Sequence, residues 1–215
     1  MKLLSVNIGS LGEILRNGKK VKSGIYKQPV KGPIKVHSLG LEGDYQANKK
    51  LHGGIEKAIC IYPVEHFKFW RNELRKPDIT FGDFGENLTT FGLIEGNIFL
   101  GDRFRIGSVE MIVTQPREPC VTLDARLGVV DLSERFRKSG RSGFYFSVAK
   151  EGTLNNGDTI ECISKDENRV SVSEFNQVIN RMPGIENIIH RASKVVALPQ
   201  RLKDKLTKRL SSLKS

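Results

Sequence analysis

The chain has 215 residues, 38% of them hydrophobic, enough to bury one good core with a small addition and too few for a large multidomain enzyme. No apolar run reaches the length needed to cross a bilayer, and the opening MKLLSVNIGSLGEI lacks the form of a secretory leader, so the sequence predicts a soluble, cytoplasmic protein. The net charge of +11 gathers at the two ends, with seven Lys/Arg against one Glu in residues 1–32 and eight against one Asp in residues 191–215; this is a pattern of solvated termini rather than of a nucleic-acid groove.

Up to about residue 165 the sequence reads as short strands separated by turns. Segments 34–44, 57–62, 97–107, 109–115, 143–152 and 158–163 are rich in Val, Ile, Phe and Tyr and are mostly bounded by Gly, Asn or Asp. Apolar and polar residues roughly alternate in VEMIVTQ and RFRIG, as on a sheet with one buried face. One amphipathic helix interrupts the strands after Pro63, with Val64, Phe67, Trp70 or Arg71, and Leu74 at helical spacing. The economical arrangement is mainly β: a closed or nearly closed β-barrel with a few helices over residues 1–165.

Beyond Cys162 the polar segment SKDENR leads into Ser171-Val-Ser-Glu174, a capping-box pattern that starts a helix running to about Arg181. Met182-Pro183-Gly184 breaks it, IENIIHRAS supplies a second short helix, and Leu198-Pro199 opens a third in which Leu202, Leu206 and Leu210 recur every four residues. Residues 170–213 therefore read as a small C-terminal three-helix subdomain, which must pack on the barrel or on a second subunit.

Three widely spaced cysteines without a CxxC pair indicate neither a disulfide framework nor a zinc knuckle. Cys60 and Cys162 lie in the apolar segments KAICIY and DTIECI and read as packing residues. Cys120 differs, because Pro116 and Pro119 stiffen the loop that presents it and Arg117 favours its thiolate, the nucleophilic and metal-binding form. His52 sits beside Gly53-Gly54, where backbone can approach a ligand closely, and suits a donor, base or ligand. Lys19, Lys20, Lys22 and Lys27 cluster near Ser23-Gly24 for an anionic group, yet no GxxxxGK[ST] or GxGxxG is present, which argues against a triphosphate loop or a Rossmann site.

The order of these signals is more informative than any one of them. Ser23-Gly-Ile-Tyr-Lys27, Gly40-Leu-Glu-Gly-Asp44, His52-Gly-Gly, Lys57-Ala58, Tyr62-Pro63, Gly85-Glu-Asn-Leu88, Gly101-Asp102 and Gln115-Pro-Arg-Glu-Pro-Cys120 together resemble the MOSC domain, named for the C-terminal domain of molybdenum cofactor sulfurase. The likeness runs from about residue 2 to 164, and the helical tail resembles the appendage of the bacterial YiiM-like branch.

This resemblance implies a barrel that binds the molybdenum cofactor, molybdopterin with its metal, and Cys120 as the protein's ligand to molybdenum. It implies that Lys27, Asp44, Asn87 and Arg117 line the cofactor pocket, with His52 beside them as a proton donor to a departing oxygen. The activity it implies is reduction of N-hydroxylated compounds such as hydroxylaminopurine bases. A separate flavin or iron–sulfur protein would supply the electrons, since the chain has no flavin or nicotinamide fingerprint and too few cysteines for a four-cysteine cluster. A homodimer is implied as well. Two other readings use the same residues: a cofactor or sulfur carrier without turnover, and a hydrolase built on Cys120 and His52, for which no nucleophile-elbow or papain-like signature is present. The chain departs from the family pattern at Val121-Thr122, after the cysteine, and at Phe144-Tyr-Phe-Ser147.

Overall fold

Alternation along β10 (Val109–Pro116) buries Val109, Met111 and Val113 and makes this strand a natural sheet interior. The computed structural model describes residues 1–16, 18–46 and 53–213. Eight strands form the main sheet in the order β13 (Ile160–Ser164), β9 (Arg103–Ile106), β10, β11 (Phe144–Lys150), β7 (Ile59–Pro63), β8 (Leu88–Phe91), β1 (Lys2–Gly9) and β4 (Lys27–Val30). Neighbours are antiparallel except β7 and β8, whose parallel pairing requires the long connection over residues 64–87. That connection contains the helix expected after Pro63, α1 (Phe67–Leu74), entered through a short 3-10 turn.

The sheet curls until its ends meet at β1. The outer edge of β1 is shared, with a bridge from Lys2 to Thr159 just before β13 and pairing of Val6–Gly9 with β4. Between these two, the Asn156 side chain accepts from Val6 N–H at 2.7 Å and donates to the Val30 carbonyl at 2.8 Å. The result is a nearly closed barrel, joined by a bridge and a side chain and not by a continuous ladder. A small sheet of β12 (Gly152–Leu154), β5 (Ile34–His37) and β6 (Gly40–Leu41) and a hairpin of β2 (Gly12–Arg16) and β3 (Lys19–Ser23) complete the β structure.

Two helices within the barrel segment, α2 (Val121–Leu127) and α3 (Leu132–Ser139), have no counterpart among the sequence expectations. They exist because α1 offers them an aromatic surface. Trp70 stacks on Phe136 with centroids 4.2 Å apart, Trp70 Nε1 donates to the Tyr62 hydroxyl at 2.6 Å, and Leu123, Leu127 and Leu132 close the same buried cluster. Segment 97–102, expected as strand, is mostly turn before β9 and pairs only at Phe99, in an isolated antiparallel bridge to Ser171, and Cys162 is exposed rather than buried.

In the tail, α4 (Val172–Ile179) begins with the expected capping box: Ser171 Oγ accepts from Glu174 N–H at 3.0 Å while Glu174 Oε2 accepts from Ser171 N–H at 2.8 Å. It is followed by α5 (Glu186–Lys194) and α6 (Gln200–Leu213). Val172, Phe175, Ile189, Leu202 and Leu206 belong to the same hydrophobic core as Leu3, Val6, Phe104 and Phe146 of the barrel. Among the described residues no helix is long and apolar enough to cross a membrane.

Replacing Phe136 with Ala empties a fully buried site stacked on Trp70. Such a variant is expected to lose about 3–5 kcal/mol of stability in a denaturant titration, the usual range for a buried Phe truncation.

Candidate functional site

A cavity of about 770 Å³ opens where the β2–β3 hairpin, β4, β7, β11 and the segments beginning Gly85 and Arg117 converge. Its inner wall is built on the Asp44 carboxylate. Asp44 Oδ1 accepts from Gly9 N–H at 2.8 Å and from Lys27 Nζ at 2.5 Å, and Oδ2 accepts from Asn87 Nδ2 at 2.9 Å. The side chains of Lys27 and Asp44 are 8% and 2% exposed, so this ion pair is almost removed from water and holds together through its hydrogen bonds. Asn87 continues the chain into the sheet: its Oδ1 accepts from Cys60 N–H at 3.1 Å and its own N–H donates to the Cys60 carbonyl at 2.8 Å.

Arg117 forms another part of the wall. Leaving β10, its backbone N–H donates to the Gly143 carbonyl at 3.0 Å and Nη2 donates to the Phe84 carbonyl at 2.5 Å. Nη1 is buried and has no hydrogen-bond partner among the described residues. Burial pulls the guanidinium pKa down, but Cys60, Tyr145, Glu86 and Cys120 around it outweigh that effect and leave it raised, so the cation persists. Cys120 stands at the N-cap of α2 with extended backbone, half-buried on the cavity surface. Arg126 of the same helix donates to Asp83 at 2.6 Å and lies over the Tyr26 ring at 4.8 Å, which ties α2 to the segments before Gly85 and Lys27.

Of the residues singled out from sequence, the fold brings Lys27, Asp44, Asn87, Arg117 and Cys120 to one cavity. His52 lies outside the described residues. Asp102 belongs elsewhere: it accepts from Asp166 N–H at 2.9 Å and from Arg169 at 3.2 Å, fixing the lead into the tail. His66, beside the helix after Pro63, is buried against Glu95 at 2.7 Å and packs away from this cavity.

Cys60, Tyr145 and Arg16 line the cavity without having been singled out for it in the sequence. Cys60 packs as expected but also reaches the cavity, and burial pushes its thiol pKa up. Tyr145 and Lys57 line the wall, and Arg16 and Lys22 reach it from the β2–β3 hairpin. Gly24 and Gly85 are close approaches of backbone: a Cβ at Gly24 would meet the Tyr45 carbonyl oxygen at 1.9 Å, and Gly85 has φ +76°. Lys22 belongs to the lysine cluster, and Lys57, Gly24 and Gly85 to the motifs, already noted in the sequence; Tyr145 is turned toward this wall by its pairing with Cys60, and Arg16 carried no sequence signal.

Asp44→Ala leaves Lys27 buried without its counter-charge. About 3–5 kcal/mol of stability is expected to go with it in a denaturant titration, the cost of an uncompensated buried cation.

Known proteins resemble the chain in sequence and fold. The MOSC domain profile matches residues 48–161. YiiM of Escherichia coli strain K12 is 37% identical over 79% of this chain and 76% of that protein. A protein named reductase from Gibberella moniliformis is 34% identical over 82% of this chain but only 32% of its own length, so the chain spans about a third of it. The crystal structure of YiiM from Geobacillus stearothermophilus superposes with a TM-score of 0.82 at 30% identity, covering 97% of this chain and 98% of that one. With matching fold, matching sequence and the motif cysteine on the same cavity as the Lys27–Asp44 pair, the chain belongs to the MOSC domain family and is a YiiM-like member of it.

Proposed function

We propose that the protein is a molybdenum-cofactor-dependent reductase of N-hydroxylated compounds, with hydroxylaminopurine bases as representative substrates and Cys120 as the thiolate ligand to molybdenum. The observation that carries this reading is Arg117: a persistent, deeply buried cation that lines the cavity and whose Nη1 has no hydrogen-bond partner among the described residues. An unpaired buried guanidinium N–H is costly unless a ligand satisfies it, and an anionic oxygen such as a phosphate does so best. Arg16 and Lys22 add positive charge at the cavity surface, while Gly24 and Gly85 let the cavity's backbone segments pack directly on Tyr45 and Ile25.

The donor set fits the same group. Among the described residues no three His, Cys, Asp or Glu side chains are arranged to hold a metal ion, so a metal here depends on ligands that a cofactor brings, with Cys120 completing them. When bound, the cofactor supplies a redox metal that passes two electrons. The chain's own residues bind and orient: Arg117 and the hairpin cations hold the anionic end, Asn87 and the Lys27–Asp44 pair form a rigid polar wall, and Cys120 is held on the stiff turn into α2. Electrons come from a separate flavin or iron–sulfur protein. The fungal relative named reductase is in keeping with this class of chemistry.

Purified, cofactor-loaded protein supplied with a competent electron donor is expected to convert 6-hydroxylaminopurine to adenine with multiple turnovers, followed by chromatography. Unchanged substrate under those conditions, together with transfer of intact cofactor to an apo-acceptor, would assign the chain as a carrier instead.

A further inference from the structure

We propose that the tail helix α6 is a working part of the cavity, in which Arg201 positions Lys57 as the proton donor to the oxygen that leaves the substrate. This rests on the reductase reading above. Arg201 Nη2 donates to Gln115 Oε1 on β10, and Gln115 Nε2 in turn reaches the Glu56 carbonyl at 3.4 Å, in the peptide that joins Glu56 to Lys57. Thr114 Oγ1 fixes the same carbonyl at 2.7 Å. Lys57 therefore sits on a short turn that β10 and α6 hold from one side, and its ammonium lies 5.7 Å from the centre of the Tyr145 ring in the cavity wall.

The placement of Arg201 is informative in its own right. Helix N-termini favour acidic residues, yet α6 has none in its first turn and puts an arginine there. Local helix stability does not account for that choice; the contact with Gln115 does.

Proton donation near neutral pH requires an ammonium more acidic than an ordinary lysine, whose pKa of about 10.4 is too high for efficient transfer. Burial lowers the Lys57 pKa and the Arg201 charge lowers it further, against Glu118 in the loop after β10, Glu56 on its own turn and Cys60 on β7. In the net reaction, R–NH–OH + 2 e− + 2 H+ → R–NH2 + H2O, the N–O bond breaks, and the flavin or iron–sulfur donor would supply the two electrons while the cofactor, when bound, would supply the redox metal. Two protons then complete R–NH2 and water, one of them given by Lys57 to the departing oxygen. Lys57 is half-buried, so solvent restores its proton.

The first test needs neither metal nor substrate. Competitive acetylation of the intact protein across pH, read by mass spectrometry on the peptide containing Lys57, is expected to give Lys57 a lower titration midpoint than the exposed lysines. Arg201→Gln is expected to move that midpoint up, and Arg201→Lys, which keeps the charge, to leave it near the wild-type position. A Lys57 midpoint equal to the others, or one that Arg201→Gln does not move, overturns the coupling whatever the fate of the reductase reading. In the loaded enzyme a general acid loses activity as pH rises through its pKa. The alkaline limb of kcat should therefore shift to higher pH in Arg201→Gln and kcat should fall in Lys57→Gln. An unmoved limb, or a limb abolished by His52→Ala but not by Lys57→Gln, overturns the proton role.

Discussion

The Asp44 carboxylate is the constraint on which the site depends. Its two oxygens accept from the end of β1, from the Lys27 ammonium at the start of β4 and from Asn87 in the turn before β8, so one side chain fixes three segments that are far apart in sequence. A buried lysine needs such a partner, and a buried carboxylate needs its remaining lone pairs filled. Satisfying both at once leaves little freedom in the wall. A rigid polar wall is what a reactive ligand of fixed orientation requires.

Cys120 is positioned by a different kind of interaction. Its helix, α2, rests on aromatic packing contributed by Trp70, Tyr62, Phe84 and Phe136, with Arg126 and Asp83 as the polar tie. Arg117 joins the two systems, since its guanidinium bonds the Phe84 carbonyl while Cys60 and Cys120 both bear on its charge. Stiffness at the thiol thus comes from two neighbouring structures: hydrophobic packing under α2 and hydrogen bonding behind Arg117. The tail adds a third contact through Arg201 and Gln115.

Much of this was legible before the structure. The strands at 34–37, 59–63, 109–116 and 144–150 and the Ser171 capping box follow from local pattern. So does the presentation of Cys120 by two prolines, whereas the gathering of Lys27, Asp44, Asn87 and Arg117 came from the ordered motifs and not from any single one. What escaped has a common cause. Helices α2 and α3 are short, about two turns each and ended by Gly128 and Gly140, and form on an aromatic surface supplied by distant residues, and β1 and β8 are strands whose burial depends on the curled sheet around them. Tyr145 and Lys57 reach the cavity only because β11 pairs with β7 and β10 grips the turn before it. Cys162 was misread because an apolar neighbourhood in sequence said nothing of the face its strand exposes.

The central claim is that Cys120 is the protein's own bond to molybdenum, in a cavity whose other residues hold the cofactor's organic part. Metal content of the protein, purified from cells competent to make the cofactor, tests it most directly when wild type and Cys120→Ala are compared by elemental analysis alongside pterin fluorescence. The account predicts molybdenum near one per chain in the wild type and its loss in Cys120→Ala. Undiminished molybdenum in that variant, or a wild-type protein carrying neither metal nor pterin, would contradict it.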